Sequence, residues 1–280
     1  DELFASPAPT SVPEWTTYPL GVAWVLLRAA GDAATAAGLD LAIASSVPVG
    51  AGLSSSAAIE CAVAVALNEL WGADLSAKDL TRVGRTAEND AVGAPTGIMD
   101  QTASMLGQTD AAVFLDCRAL ATEIVPLGLQ AAGLDVLVID TLVTHAHSTG
   151  GYRERRASCE RGAAAMGAES LRDLSVHDLE RAASVMDEVT FRRVRHVVTE
   201  NERVLETVRV LRESGPRAIG ELLLTSHASM RDDFEISVPE LDTAVEAAMS
   251  GGAIGARMTG GGFGGAAIAL VARDTLTAVT

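Results

Sequence analysis

Apolar positions recur every three to four residues along most of the chain, and every second residue in a few short runs. Leu20, Trp24 and Leu27 share one side of a helix predicted over 15–30. Leu39, Leu41 and Ile43 alternate with Asp40, Ala42 and Ala44, which predicts a strand over 39–44. Ile59, Val63, Ala66 and Leu70 predict a helix from about Ser56 to Trp71. Another helix is expected over 76–89, with Ser76 as N-cap and Asp79 placed as in a capping box, and a short one over 99–106. Strands are expected at 112–117, 121–126 and 134–141, the last with Val136 and Val138 alternating against Leu137 and Ile139. Residues 152–250 read almost wholly as helices, at 152–166, 175–186, 192–213, 219–230 and 239–249. Strands at 254–259 and 266–272 flank Gly260-Gly261-Gly262-Phe263-Gly264-Gly265. Residues 1–13 hold Pro7, Pro9 and Pro13 and read as loop. This order of elements predicts an α+β chain of two lobes, 1–150 and 151–280.

Composition narrows the partners. The chain has 280 residues, 48% of them hydrophobic, enough for one large or two medium cores. Its formal charge is −16 without a basic run, which speaks against a nucleic-acid or anionic-membrane surface. No apolar window is long enough to span a membrane. Cys61, Cys117 and Cys159 are far apart and odd in number, which fits a reduced cytoplasmic protein. Neither they nor the five histidines have zinc-ligand spacing; His145 and His147, two apart, read as surface loop. The chain opens on Asp1 with no signal-peptide pattern, and with no initiator Met a preceding segment is expected. Oligomeric state is not legible.

Chemistry concentrates in three places. The first is Val47 to Ala58, where Gly50, Ala51, Gly52 and Leu53 lead into Ser54, Ser55 and Ser56 at a helix start. Glycines allow close backbone approach, a serine hydroxyl can cap the first turn, and a helix N-terminus offers free N–H donors to an anion. Two readings stay open, a phosphate-binding loop and a well-capped buried helix. The second place is Gly97-Ile98-Met99-Asp100-Gln101. Asp100 is read either as a helix cap or as a carboxylate facing a substrate hydroxyl. Glu88 with Ser55 offers the hard oxygens that suit Mg²⁺. The third is the glycine cluster, whose five glycines predict a close approach to a ligand in preference to another chain segment. Tyr152 follows Gly150-Gly151 and is open to a ligand, whereas Arg153, Arg155 and Arg156 read as a solvated face.

Together these segments resemble the GHMP small-molecule kinases and, within them, the galactokinase branch, from about Glu14 to Val271. Residues 48–57 look like the family's ATP phosphate loop, 97–101 like the segment bearing its catalytic Asp, and 257–265 like its third motif near the phosphates. The resemblance implies a two-lobed α+β fold with the active site between the lobes, and transfer of the ATP γ-phosphate to the C1 hydroxyl of galactose. It implies Asp100 as catalytic residue and Gly50–Ser56, Gly261, Gly262 and Trp15 as ATP contacts, with Tyr18 beside Trp15. It also implies Gly97, Asp100 and Tyr152 at the sugar, with Ser55 and Glu88 on Mg²⁺. The opening signature of that branch, of the type G-R-x-N-x-x-G-E-H-x-D-Y, does not occur, so the chain is expected to be part of a longer protein and to be inactive by itself. Kinases of another sugar, N-acetylgalactosamine or a pentose, and a non-catalytic ATP and galactose sensor stay open as alternatives. The intact Ser54-Ser55-Ser56-Ala57-Ala58 run favours an enzyme.

Overall fold

A computed structural model describes residues 12–34, 36, 38, 40–143 and 148–279. The expected loop at 1–11 and the pair His145 and His147 lie outside them. Within the described residues the chain forms two compact units, one of Asp1–Val49 and Ser54–Val125, the other of Gly50–Leu53 and Pro126–Thr280. The units therefore part near residue 125, at the end of a strand, whereas the change to helical pattern suggested Gly150.

The first unit is built on helices α1 (Thr17–Ala30), α2 (Ser55–Leu70), α3 (Ala77–Thr86) and α4 (Met99–Leu106). Val22 and Leu26 of α1, Val63 and Leu67 of α2, and Leu80 and Val83 of α3 meet in one apolar core, as their helical spacing requires. Ser76 caps α3: its Oγ accepts the Asp79 N–H and donates to Asp79 Oδ2 at 2.6 Å. The helix then widens into a π turn, Ala87–Val92, closed where the Gly93 N–H donates to the Glu88 carbonyl. Strands β1 (Ala111–Asp116) and β2 (Ala121–Pro126) pair with each other.

The expected strand over 39–44 is not formed by its described part. Residues 40–44 carry no regular structure and are exposed, Leu41 and Ile43 by 44% and 43%. Alternation supplies a side-chain pattern, but a strand also needs a neighbour for its N–H and C=O groups, and none among the described residues pairs with it.

In the second unit α5 (Leu129–Ala132) precedes β3 (Leu134–Asp140), and α6 (Ser148–Ala165), α7 (Leu179–Val185), α8 (Glu188–Ser214), α9 (Gly220–Ser229) and α10 (Pro239–Ser250) follow. Then come β4 (Gly255–Met258), β5 (Ala266–Ala272) and the short α11 (Leu276–Val279). The sheet order is β3-β5-β4, antiparallel throughout, with Leu134 opposite Ala272 and Met258 opposite Ala267. Leu241, Val245 and Ala248 of α10 pack on Met258, Ala267, Ala269 and Val271, with Leu137 and Ile139 at the edge of that core. Val194 and Val198 of α8 join Ala163, Met166 and Ala182 in a separate cluster. α8 starts at Glu188, four residues before its expected start, because Asp187 Oδ1 accepts the Thr190 N–H at 2.9 Å. The helix expected from Ser175 begins at Leu179, since Asp178 instead closes a 3₁₀ turn by accepting the Ser175 N–H at 2.9 Å.

Candidate active site

In the first unit the site begins at the head of α2. Ser54 precedes the helix in the left-handed region, with φ 56° and ψ 45°. No side chain caps the helix; the first intrahelical bond runs from the Ala58 N–H to the Ser54 carbonyl. The N–H groups of Ser55, Ser56 and Ala57 thus have no intrahelical acceptor, and they stand at the positive end of the helix dipole. The expected serine cap is absent, and the Ser54 hydroxyl lies close enough to the Asp100 carboxylate to act on its pKa. Asp100 lies in the first turn of α4 and is half-buried. Burial first, and then the charge of Glu88, hold its carboxyl above the usual range, while the Ser54 hydrogen bond partly offsets them.

Glu88 sits in the π turn and is 6% exposed. Its Oε2 accepts the Thr96 hydroxyl at 2.6 Å and the Gln101 amide at 2.8 Å. The same amide nitrogen donates to Glu60 Oε2 at 2.9 Å. Glu60, on α2, is fully buried, and burial with the Glu88 charge pushes its carboxyl up to about 8. Tyr18 of α1 is also held above its ordinary value, by burial and then by Glu88 and Glu60. Carboxylates from α2, the π turn and α4 therefore converge, and the Glu88 charge adds to the proton affinity of Glu60 and Asp100.

This constellation holds the expected Ser54, Glu88 and Asp100 and two residues that sequence reasoning missed, Glu60 and Gln101. Gln101 was legible only as the neighbour of Asp100. Glu60 carries no local signal, because it is one of several polar positions on α2, with Ser55, Ser56, Asn68 and Glu69. Ser55 and Ser56 are half-buried in the first turn of α2, and Gly97 is exposed with open space beside its Cα. Trp15, in a 3₁₀ turn, is 57% exposed. Among the described residues no group of three or more His, Cys, Asp or Glu side chains is arranged to enclose a metal ion. Mg²⁺ needs less, because it is commonly held by one or two carboxylates with the substrate's phosphates and water. Glu88, with Oε1 outside its hydrogen bonds to Thr96 and Gln101, has an oxygen of the kind such a partial site uses.

In the second unit Gly50 and Gly52, with φ of 80° and 70°, carry the chain through a tight loop. A Cβ on Gly260 would lie 2.9 Å from the Gly52 carbonyl oxygen, so the two glycine loops touch backbone to backbone. Gly262 is pressed on the Ile236 carbonyl, which accepts the Phe263 N–H at 2.7 Å. Beyond it, the Gly265 N–H donates to the Val143 carbonyl at 3.0 Å. Contact with other chain segments therefore accounts for much of this glycine run, where ligand contact was the expectation. Gly261 differs, having open space beside its Cα.

Tyr152, on α6, is 40% exposed. Its neighbour Arg155 corrects the solvated-face expectation. It donates from Nε to the Phe234 carbonyl at 2.5 Å and from Nη2 to the Glu235 carbonyl at 2.7 Å, with its guanidinium 5.6 Å from the Phe263 ring centroid. Arg153 and Arg156 are exposed, as expected.

The sequence profile of the GHMP kinases N-terminal domain matches residues 17–108, and that of the GHMP kinases C-terminal domain matches 207–278. Galactokinase of Streptomyces coelicolor is 52% identical over 275 residues, 98% of this chain and 70% of that protein. The chain belongs to the galactokinase branch of the GHMP kinases. Galactokinase of Mycobacterium tuberculosis H37Rv is 42% identical over 266 residues, covering 95% of this chain and 72% of its own length. The solved structure of Lactococcus lactis galactokinase complexed with galactose superposes with a TM-score of 0.86 at 36% identity, over 96% of this chain and 70% of that one. In this GHMP kinase the N-terminal profile match runs from α1 through α4 and includes Ser54, Glu60, Glu88 and Asp100. Among the described residues no helix is long and apolar enough to cross a membrane.

Proposed function

We propose that this chain phosphorylates galactose, transferring the γ-phosphate of ATP to the C1 hydroxyl to give galactose 1-phosphate. The observation that carries the reading is the pairing of Asp100 with Ser54 at an uncapped helix N-terminus, in a chain similar to galactokinases over nearly its whole length. Backbone N–H groups of residues 50–56 cradle the phosphates, and the α2 dipole adds to their hold. Asp100 accepts the hydrogen bond of the sugar hydroxyl as that oxygen attacks phosphorus. A carboxylate whose proton affinity is raised by its surroundings is suited to that role. Gly97 and Tyr152 are assigned to the sugar, and Trp15, Gly261 and Gly262 to ATP. Ser55 and Glu88 would hold Mg²⁺, which when bound would neutralise charge on the phosphate oxygens. Phosphoryl transfer asks for little covalent help, so the residues act mainly by positioning and by charge.

A coupled ADP-release assay tests the proposal on galactose, N-acetylgalactosamine and pentoses, with Asp100→Asn as control. Galactose-dependent ADP release that Asp100→Asn abolishes is expected. Preference for another sugar would move the substrate assignment, and ATP binding without ADP release on any sugar would point to a sensor.

A further inference from the structure

Gln101 is fully buried, and its amide nitrogen has two N–H groups to place. One goes to Glu60 Oε2 at 2.9 Å and the other to Glu88 Oε2 at 2.8 Å, so the nitrogen is saturated by two carboxyl groups from different elements. Glu88 Oε2 is saturated in turn, because its second acceptor position takes the Thr96 hydroxyl at 2.6 Å. That leaves Oε1 as the Glu88 oxygen outside this clamp. The fold makes room for it: Gly84 of α3 lies alongside, where a Cβ would come within 3.1 Å of Gln101 Cγ and 3.6 Å of Glu60 Cβ. Glu60 itself touches no solvent, and its Oε1 and the Gln101 Oε1 have no partner among the described residues.

We propose that Glu60 is a positioning residue for the reaction: through the Gln101 amide it fixes the rotamer of Glu88, and so sets the affinity for the divalent cation that accompanies ATP. The inference rests on the assignment of Glu88 as a cation ligand. Groups behind a metal ligand commonly change metal affinity about tenfold to a hundredfold when removed. Without an acceptor at residue 60, one Gln101 N–H is left buried and unpaired, and the side chain turns to relieve it. Glu88 then loses the donor that orients it. An acceptor of the same length suffices, since Gln101 needs an oxygen at the 2.9 Å position of Glu60 Oε2 and not a charge.

The test compares Glu60→Leu, Glu60→Gln and Glu88→Gln in the full chain by two readouts. One is Mn²⁺ affinity of the ATP complex, measured by electron paramagnetic resonance without sugar. The other is the Mg²⁺ concentration giving half-maximal turnover. Glu60→Leu is expected to weaken both by about tenfold or more, with the galactose KM within about twofold, whereas Glu60→Gln stays within about threefold of wild type. A merely structural role would lower the melting temperature without moving Mn²⁺ affinity. Glu60→Leu that melts as a folded protein and binds Mn²⁺ like wild type overturns the inference, as does Glu60→Gln binding as weakly as Glu60→Leu. Where Glu60→Leu fails to fold, Glu60→Asp, one methylene too short to reach Gln101, is judged by the same two criteria. If Glu88→Gln leaves Mn²⁺ affinity unchanged, the cation assignment falls and the inference with it. If Glu88→Gln weakens binding and Glu60→Leu does not, only the inference falls.

Discussion

At the scale of single residues, the pairing of Ser54 with Asp100 decides what the head of α2 is for. A serine before a helix ordinarily spends its hydroxyl on the helix's own N–H groups. Here that hydroxyl serves Asp100 and the helix end stays open. Asp100→Asn keeps the shape and removes the charge. It is predicted to lower kcat by about a hundredfold or more while ATP affinity, read by titration, changes only a few-fold. Its melting temperature should not fall, because the substitution relieves the repulsion between Asp100 and Glu88. Ser54→Gly suits the left-handed backbone and deletes the hydroxyl. That hydrogen bond pulls the Asp100 pKa down, so its loss lets the pKa rise. The acid limb of the activity profile should therefore shift to higher pH. A profile that stays in place, or shifts to lower pH, would show that Asp100 does not govern that limb.

At the scale of elements, the glycine loop shows how much the sequence could and could not tell. The helices were legible, because an apolar stripe at helical spacing needs only a core to face, and cores formed where the stripes met. The strand over 39–44 was not, because its partner is not written in its own residues. Within the site, Asp100 and Glu88 could be picked out from the glycines and turns around them. Glu60 could not, since it meets Gln101 from 41 positions away in sequence. The glycine run was legible as a close approach but not as to what. Gly262, with φ 82° against the Ile236 backbone, and Gly261, with open space, separate the two answers. Gly262→Ala is predicted to destabilise the fold by about 1–3 kcal/mol, from a strained backbone and a steric clash. Gly261→Ala should stay within about 0.5 kcal/mol of wild type in urea unfolding, and any effect it has should appear in ATP affinity. Equal losses of stability in both would assign the whole run to packing.

At the scale of the whole molecule, buried titratable groups of opposite kind sit in the two units. In the first, Glu60 is held up to about 8 by burial and by Glu88, and Asp100 is raised as well. In the second, His196 stacks on Phe234 with 4.4 Å between ring centroids, and burial pulls its pKa down to about 4. His227 is lowered by burial too, with Nδ1 accepting the Met258 N–H at 3.3 Å. The unfolded chain releases the Glu60 proton above the ordinary glutamate value of 4.5, while the folded chain keeps it to about 8, so this group's stabilisation is lost as pH rises between them. For His196 the unfolded chain takes up a proton below 6.5 and the folded chain resists to about 4, so stability is lost as pH falls through that range. Between 4.5 and 6.5 the two slopes oppose each other, and from 6.5 to 8 Glu60 acts without that opposition. One unmatched proton changes stability by at most about 1.4 kcal/mol per pH unit. Unfolding by urea should therefore become easier from pH 6.5 to 8, and Glu60→Gln should flatten that fall. His196→Phe keeps a ring against Phe234 and cannot titrate, so it should soften the loss on the acid side alone. Hydrogen exchange places each effect: α2 and α4 should lose protection toward alkaline pH, and α8 and α9 toward acid. A Glu60→Gln curve parallel to wild type from pH 6.5 to 8 would mean that Glu60 is already ionised in the folded protein, with a cation or water beside it.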